Sequence, residues 1–128
     1  MVRRIIETKA APGAVGPYSQ AVACDGWLYV SGQIPLDPST GEMIEGEIGA
    51  QAERVLKSLQ AIVEQAGAGL ADVVKVQVYL RDMNDFQPVN EVYARFFGEN
   101  PPARACVAVS GLPKGAQVEM DLVARVAS

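Results

Sequence analysis

The segment that says most about the fold runs from Pro101 to Met120 and reads PPARACVAVSGLPKGAQVEM. It covers one run of alternating residues, 103–109, and the start of a second, 117–126, and side chains of a β-strand alternate between its two faces in this way. Most of these residues are small or apolar, yet Arg104 stands in the first run and Glu119 in the second. The pattern therefore predicts two strands of largely apolar character, each with a charged side chain.

The two charged residues have complementary chemistry. The planar guanidinium of Arg104 can hold a carboxylate through two parallel hydrogen bonds, and the carboxyl of Glu119 can accept and donate a proton. Together they indicate a pocket for a small carboxylic acid. The alternative is a structural ion pair or two solvated side chains, since charged residues on strands are usually paired or hydrated.

Composition bounds the possible functions. A chain of 128 residues with 49% hydrophobic residues predicts a single domain, 1–128, with a real core. The net charge of −4 argues against a nucleic-acid partner. The sequence also lacks a run of basic residues, since Arg3 and Arg4 are the only adjacent basic pair. No apolar stretch approaches the roughly 18 residues of a membrane span, so no membrane association is expected.

The types of residue that are missing narrow the chemistry further. The chain contains no histidine, which excludes Ser–His and Cys–His nucleophile pairs and most transition-metal sites. Cys24 and Cys106 form neither a CxxC motif nor a disulfide framework, and the N-terminus has no signal-peptide pattern, so a reducing cytoplasm is predicted. No metal or cofactor is expected, and chemistry must come from carboxylates, Arg, Lys, Tyr, Ser, Cys or the backbone.

Hydrophobic periodicity predicts an α+β protein. Apolar residues recur at helical spacing in two segments and alternate in the others, with a hairpin turn at Asp25-Gly26. Gly67 should end the first helix, and Asn84 or Asp85 should cap the second, with Pro88 in its first turn. Strands are predicted at 2–8, 20–24, 27–31 and 72–81, then at the two runs above, and helices at 48–66 and 86–97.

Six strands and two helices predict one sheet with both helices on one face. We expect Arg104, Cys106 and Glu119 on the uncovered face, opposite Val107 and Met120. The uncovered face should also carry three further residues, which are Tyr79, Ala108 and Val123. Such a mixed face is a poor solvent surface, so self-association should cover it and place ligand sites between subunits.

Seven blocks of the sequence, in register from about Ala11 to Val126, resemble the RidA (YjgF) family of reactive-intermediate imine deaminases. The blocks are GPYSQAV (16–22), SGQIP (31–35), VEQAG (63–67), VVKVQVYLRDMNDF (73–86), VNEVYARFF (89–97), PARACV (102–107) and LPKGAQVEM (112–120). The resemblance implies a chorismate-mutase-like fold, with a mixed six-stranded sheet and two helices on one face. It also implies a homotrimeric barrel of three such sheets, with ligand clefts between subunits.

The resemblance also implies roles for individual residues. It places Arg104 on the carboxylate of the ligand and Glu119 near the water that attacks the imine carbon. It assigns five further residues to the lining or support of the cleft, and these are Tyr18, Ser31, Gly32, Asn90 and Cys106. Without the resemblance, these five would be an ordinary loop aromatic, two turn residues, a solvated helix residue and a small core residue. Cys106 is expected to line the pocket rather than act as a nucleophile.

The activity implied by the resemblance is hydrolysis of 2-imino acids and their enamine tautomers to 2-keto acids and ammonia, without metal or cofactor. Such substrates include 2-aminoacrylate, 2-iminopropanoate and 2-iminobutanoate. Two alternatives stay open: a regulatory protein that binds 2-keto acids without turnover, and an RNA-acting translation inhibitor or endoribonuclease. Acidic composition and the lack of histidine weigh against the second. The short loop 98–101 is shorter than in several of the family's deaminases and could alter the substrate range.

Overall fold

The computed structural model describes residues 2–127 and contains one mixed sheet of six strands. The strands are β1 (Arg3–Ile6), β2 (Ala21–Cys24), β3 (Trp27–Gln33), β4 (Val73–Leu80), β5 (Ala103–Ala108) and β6 (Val118–Arg125). Their order across the sheet is β1-β2-β3-β6-β4-β5, and only β4 and β5 are parallel neighbours. The predicted α+β class and mixed six-stranded sheet are confirmed, although β1 ends earlier and β3 continues further than predicted.

The hairpin between β2 and β3 forms where the sequence predicted it. Asp25 and Gly26 both have positive φ, 54° and 85°, as the two central residues of a type I′ turn require. Asp tolerates this conformation and Gly has no Cβ to oppose it. The turn fixes the register of β2 against β3, and with it the face on which each of their side chains lies.

Helix α1 (Ile48–Gln65) lies on the sheet through a continuous apolar stripe that includes Ala52, Leu56 and Leu59, all fully buried. Gly67 follows the helix with φ +88°, and its N–H donates to the carbonyl of Glu64 at 3.0 Å. A glycine in this left-handed conformation ends many helices because a Cβ atom would be sterically unfavourable there. The predicted stop at Gly67 is confirmed.

Helix α2 (Phe86–Phe96) begins directly after Asp85, with Pro88 in its first turn. A short 3₁₀ turn, Met83–Asp85, leads into it, and the side-chain hydrogen bond is made by Asp82, which accepts from the Asn84 N–H at 2.9 Å. The predicted position of the cap at Asp85 is therefore confirmed. The Asp85 side chain itself accepts no backbone hydrogen bond. The side-chain cap is provided instead by Asp82, at the start of the 3₁₀ turn.

Both helices pack on the same face of the sheet, as predicted. The core lies between α1, α2 and the strand residues of that face, of which Val76, Val78, Met120 and Leu122 are almost fully buried. The intervening residues of β6 lie on the opposite face and are half-buried. Within residues 2–127, no helix has the length and apolar character needed to cross a bilayer.

The opposite face, hereafter the open face, has no helix over it. Its exposed apolar side chains include Ile5, Trp27, Tyr29 and Val107, and Arg125 places its guanidinium 5.0 Å from the ring centroid of Trp27. Glu119 and Asp121 of β6 contribute carboxylates to this surface. The mixture of apolar and charged residues on an uncovered face is the one that the sequence predicted, and self-association across it stays a prediction.

One prediction about the faces of the sheet is wrong. Arg104 and Cys106 pair with Val76 and Val78 of β4, whose side chains are in the core, so both point toward the helices rather than to the open face. Ala108, which pairs with Leu80, does the same, and Val107 lies on the open face instead. The error has a simple physical origin: β5 is built of small residues, and a misjudgement of one position reverses every side chain of a strand.

Candidate functional site

A cavity of about 470 Å³ lies beside the Glu119 end of β6. Three segments enclose it: the loop between β1 and β2, the end of β3 with the residues after it, and the turn before β6. Tyr18, Ser31, Gly32 and Glu119, four of the predicted site residues, line this cavity together. The rest of the lining is largely apolar, apart from two glutamine side chains and Lys114, and comprises Pro12, Gly13, Val15, Gln20, Gln33, Ile34, Leu36, Pro113 and Lys114.

Gly32 allows the Glu119 carboxylate to occupy its place. A Cβ atom on residue 32 would overlap the Glu119 carboxyl group in its present place, so any larger residue there would require that side chain to move. The register between β3 and β6 is irregular between Val30 and Gln33, which lets the end of β3 diverge from regular pairing. The backbone of Gly32 and the carboxyl of Glu119 therefore form one wall of the cavity.

The loop that carries Tyr18 is held by two polar side chains. The Ser31 hydroxyl donates to the Ser19 carbonyl at 2.6 Å, and the Gln20 amide donates to the Pro12 carbonyl at 2.8 Å. Gln20 also accepts from the Thr8 N–H at 2.7 Å and is almost fully buried. Ser31 and Gln20 thus act on the shape of the cavity, while the half-exposed ring of Tyr18 remains free to meet a ligand.

The surroundings of Glu119 favour its protonated form. Burial raises the pKa of Glu119, and the nearby carboxylate of Asp121 raises it further. Burial also raises the pKa of Asp121, against the lowering effect of a hydrogen bond that Asp121 Oδ2 accepts from the Tyr79 hydroxyl at 3.0 Å. Glu119 is therefore suited to hold a proton at a higher pH than an exposed glutamate does.

Arg104 lies apart from this cavity, at the edge of the sheet beneath α2. Its Nη1 donates to Asn90 Oδ1 at 2.5 Å, and its Cζ lies 4.7 Å from the ring centroid of Tyr93 and 5.6 Å from that of Phe86. Aromatic faces hold a guanidinium by cation–π attraction while its remaining N–H groups stay available. The sequence predicted Arg104 and Asn90 as site residues but not the aromatic support.

A second cavity, of about 480 Å³, opens beside Arg104. Tyr93 of α2 and Phe97, the residue that follows the helix, line it on one side. The short loop that begins at Gly98, with Pro101 and Pro102, lines it on the other. This is the loop whose length was predicted to influence the site, and the structure places it next to the guanidinium. Within one chain, the Arg104 guanidinium and the Glu119 carboxyl therefore line separate cavities.

Cys106 is half-buried and packs against the core on the same side of β5 as Arg104. Burial raises the pKa of its thiol, although the charge of Arg104 acts in the opposite direction. A thiol with a raised pKa is a poor nucleophile. Cys106 is not among the residues that line the two cavities, so its predicted place in the lining of a site stays a prediction. Among residues 2–127, no group of three His, Cys, Asp or Glu side chains is placed to hold a metal ion.

The structure therefore divides the predicted site residues into two sets on opposite sides of the sheet: Tyr18, Ser31, Gly32 and Glu119 in one, Arg104, Asn90 and Cys106 in the other. Sequence reasoning missed Lys114 and Gln20 in the first cavity and Asp121 beside Glu119. The alternation of β6, which puts Asp121 on the same face as Glu119, could have identified Asp121. Nothing in the sequence pattern marks the loop residues.

Known proteins are similar to this sequence over nearly its whole length. The family model described as Endoribonuclease L-PSP matches residues 8–126. A RutC family protein of Pyrococcus abyssi is 52% identical over 97% of this chain and 98% of its own length. The human 2-iminobutanoate/2-iminopropanoate deaminase is 48% identical over 97% of this chain and 90% of its own.

Solved structures agree with the fold to the same extent. The crystal structure of a putative endoribonuclease from Thermotoga maritima is 50% identical, with a TM-score of 0.95 and coverage of 98% of both chains. The structure of Escherichia coli TdcF with bound serine is 44% identical, with a TM-score of 0.92, and covers 98% of this chain and 99% of its own.

Replacing Glu119 with Gln should stabilise the protein at pH 7. A carboxyl whose pKa is raised on folding contributes its full stability below the unfolded value of about 4.3, and that contribution is lost as pH rises through the folded pKa. The amide avoids this loss. Because Glu119 is only half-buried and solvent screens its charge, the gain in free energy of unfolding should be modest, about 1 kcal/mol or less. Urea denaturation at pH 7 and pH 4, at matched protein concentrations, should show a gain that disappears at the lower pH.

The exposed Glu64→Gln on α1 controls for the loss of a carboxylate as such. An equal or lower stability of Glu119→Gln at pH 7 would contradict the environment described for Glu119.

Proposed function

This chain belongs to the Endoribonuclease L-PSP (RidA/YjgF) family, and from that premise we propose that it hydrolyses 2-imino acids to 2-keto acids and ammonia. The human, rat and mouse relatives, 46% to 48% identical to it, are named 2-iminobutanoate/2-iminopropanoate deaminase. Other relatives carry only the RutC family name, so the name of the family does not by itself specify an activity.

The observation that carries the proposal is the position of the Glu119 carboxyl beside a cavity of small-molecule size. Burial and the neighbouring Asp121 raise the pKa of this carboxyl, so it holds its proton at a higher pH than an exposed glutamate. An imine carbon is already electrophilic, and becomes more so when the imine nitrogen is protonated. Hydrolysis then needs a water molecule, a proton donor and a proton acceptor at the same place. A single carboxyl can serve as donor and acceptor in successive steps, so the reaction does not require histidine.

The proposed reaction converts R–C(=NH)–COO⁻ and water into R–C(=O)–COO⁻ and ammonia. Glu119 gives its proton to the imine nitrogen, and the resulting carboxylate takes a proton from water as the water oxygen bonds to the imine carbon. In the tetrahedral amino alcohol, Glu119 returns that proton to nitrogen. The C–N bond breaks as the carbonyl forms, and the hydroxyl proton passes to Glu119, which regenerates the starting enzyme.

Arg104 is proposed to bind the substrate carboxylate through the N–H groups that Asn90 does not occupy. Arg104 and Glu119 lie on opposite faces of the sheet, so we propose that one substrate lies between two subunits, with Arg104 from one and Glu119 from the next. A cyclic homotrimer that covers the open face would form such sites. The exposed Trp27 and Tyr29 on that face support burial of this kind.

A second candidate is a protein that binds 2-keto acids without turnover. The separation of the Arg104 cavity from Glu119 within one chain supports it, since a carboxylate could bind at Arg104 without reaching an acid. No observation favours RNA cleavage: the chain has a net charge of −4 and no histidine.

Two free cysteines support placement in the cytoplasm.

Substituting Arg104 with Lys should abolish most of the deaminase activity. Lysine keeps the positive charge but lacks the planar fork, and a lost charged bidentate contact is worth roughly 2–4 kcal/mol, or tens to hundreds of fold in kcat/KM. The assay generates 2-iminobutanoate with an amino-acid oxidase and follows its loss. Arg95→Lys, on the exposed surface of the same helix as Asn90, is the matched control. Wild-type activity of Arg104→Lys would refute the anchoring role.

Replacing Glu119 with Gln distinguishes a deaminase from a protein that binds 2-keto acids without turnover. If Glu119 transfers protons, turnover of 2-iminobutanoate should fall by about 10²–10⁴-fold, the usual scale of general acid–base catalysis. Binding of 2-oxobutanoate, measured by calorimetric titration, should stay close to that of the wild-type protein because Arg104 is unchanged. Unchanged turnover with weakened binding would favour the ligand-binding alternative over the deaminase.

Mixed trimers test whether the two residues act from different subunits. In a trimer that contains both Arg104→Ala and Glu119→Gln chains, one of the three junctions retains an intact pair, so about one third of the wild-type activity should return. The chains carry different tags and are purified together after co-expression, and light scattering should give three times the mass of one chain. A mixture of separately assembled variants is the control.

Absence of any recovered activity in the mixed trimers, or a monomer at every protein concentration, would contradict the shared site.

A further inference from the structure

Two carboxyl groups stand in succession on the open face of β6. Asp121 follows Glu119 by two positions, so the side chains share a face and their Cα atoms lie about 7 Å apart along the strand. Both are half-buried, and burial raises the pKa of each. Two carboxylates in such a position cannot both ionise as easily as either would alone.

Tyr79 donates a hydrogen bond to only one of the two carboxyl groups. It is the direct cross-strand partner of Glu119, yet its hydroxyl donates to Asp121 Oδ2, the diagonal neighbour, at 3.0 Å. Among residues 2–127, no side chain or backbone N–H donates a hydrogen bond to the Glu119 carboxyl, and no cation forms an ion pair with it. One carboxyl therefore receives a hydrogen bond that favours its ionised form, and the other receives none.

This asymmetry decides which carboxyl ionises first. A hydrogen bond to a carboxylate lowers the pKa of that group, as the Tyr79 hydroxyl does for Asp121. The ionised Asp121 then places a negative charge beside Glu119 and raises the pKa of Glu119. Pairs of titratable groups whose environments move their pKa values apart are typical of sites that need one acid and one permanent charge.

Other charged or titratable groups near Glu119 are few. Tyr18 and Lys114 reach its cavity from two loops, and the end of β3 presents Ser31, Gly32 and Gln33 there, none of which carries a charge. On β4, Gln77 separates Tyr79 from Lys75, which pairs with Val123 rather than with either carboxyl. Lys114 would favour the ionised form of Glu119, so it opposes Asp121, and the largest causes that act on the pKa of Glu119 are its burial and Asp121.

We propose that Asp121, held by the Tyr79 hydroxyl, is a positioning residue that favours the protonated form of Glu119. The role rests on the proposed deaminase function, in which Glu119 must donate a proton to the imine nitrogen. Asp121 touches no substrate in this scheme and acts only through its charge. Tyr79 contributes by keeping Asp121 ionised and in place.

The first test measures the titration of Glu119 directly and needs no turnover. Protein labelled with ¹³C at the glutamate carboxyl is titrated by NMR, and the Glu119 signal is assigned by its absence in Glu119→Gln. In Asp121→Asn the midpoint of the Glu119 titration should move to lower pH by about 0.5 or more, since a neighbouring like charge on the same face has been removed. Tyr79→Phe should move it in the same direction by a smaller amount.

Tyr29→Phe is the matched control, because Tyr29 is an exposed tyrosine of the same face and makes no side-chain hydrogen bond within residues 2–127. Its Glu119 midpoint should equal that of the wild type. An Asp121→Asn protein that is folded, by its amide NMR spectrum, and whose Glu119 midpoint is unchanged or higher would overturn the proposal.

The second test uses the pH dependence of kcat/KM for 2-iminobutanoate. The limb in which activity falls with rising pH should move to lower pH in Asp121→Asn by the same amount as the NMR midpoint, because that limb reports loss of the Glu119 proton. A merely structural role of Asp121 would lower activity equally at every pH. If the NMR midpoint moves but no variant or wild-type protein deaminates the imine, the proposed function fails while the electrostatic role of Asp121 stands.

Discussion

The pairing of β4 with its two neighbours is the constraint on which the rest of the structure depends. β6 pairs with β4 so that Met120 and Leu122 enter the core and Glu119 faces away from it, whereas the parallel pairing of β5 turns Arg104 toward the helices. Side chains of directly paired residues share a face, so this register alone separates cation from carboxyl. Helix packing, the two cavities and the need for a second subunit in the proposed reaction all follow from it.

Much of the fold was predictable because its signals are local and strong. The turn at Asp25-Gly26, the end of α1 at Gly67 and the faces of β6 each depend on residue types that few other conformations suit. β5 offered no such signal: Ala103, Ala105 and Ala108 are small on both faces, so alternation could not say which face meets the core. Arg104 is accommodated there by aromatic rings of α2, which the folded chain brings beside it.

The candidate site was predictable to a similar degree and for the same reason. Glu119 and its neighbour Asp121 follow from strand alternation, but the loop residues that shape the cavity do not, because Gln20 and Lys114 act through backbone contacts and turns specific to this fold. Lys114 has a positive φ of 55°, which most residues avoid. The resemblance to a family supplied Tyr18 and Asn90; residue pattern alone left both with ordinary structural explanations.

Without histidine, the chain must obtain its acid–base chemistry by moving the pKa of a carboxyl, and the open face provides the means. A half-buried sheet surface is less hydrated than a loop, and a second carboxylate there makes the first harder to ionise. Assembly through the same face would remove more water from Glu119 and strengthen both effects. The surface that a second subunit would cover is thus the same surface that raises the pKa of Glu119. Self-association would therefore affect catalysis through the protonation of Glu119 as well as through the position of Arg104.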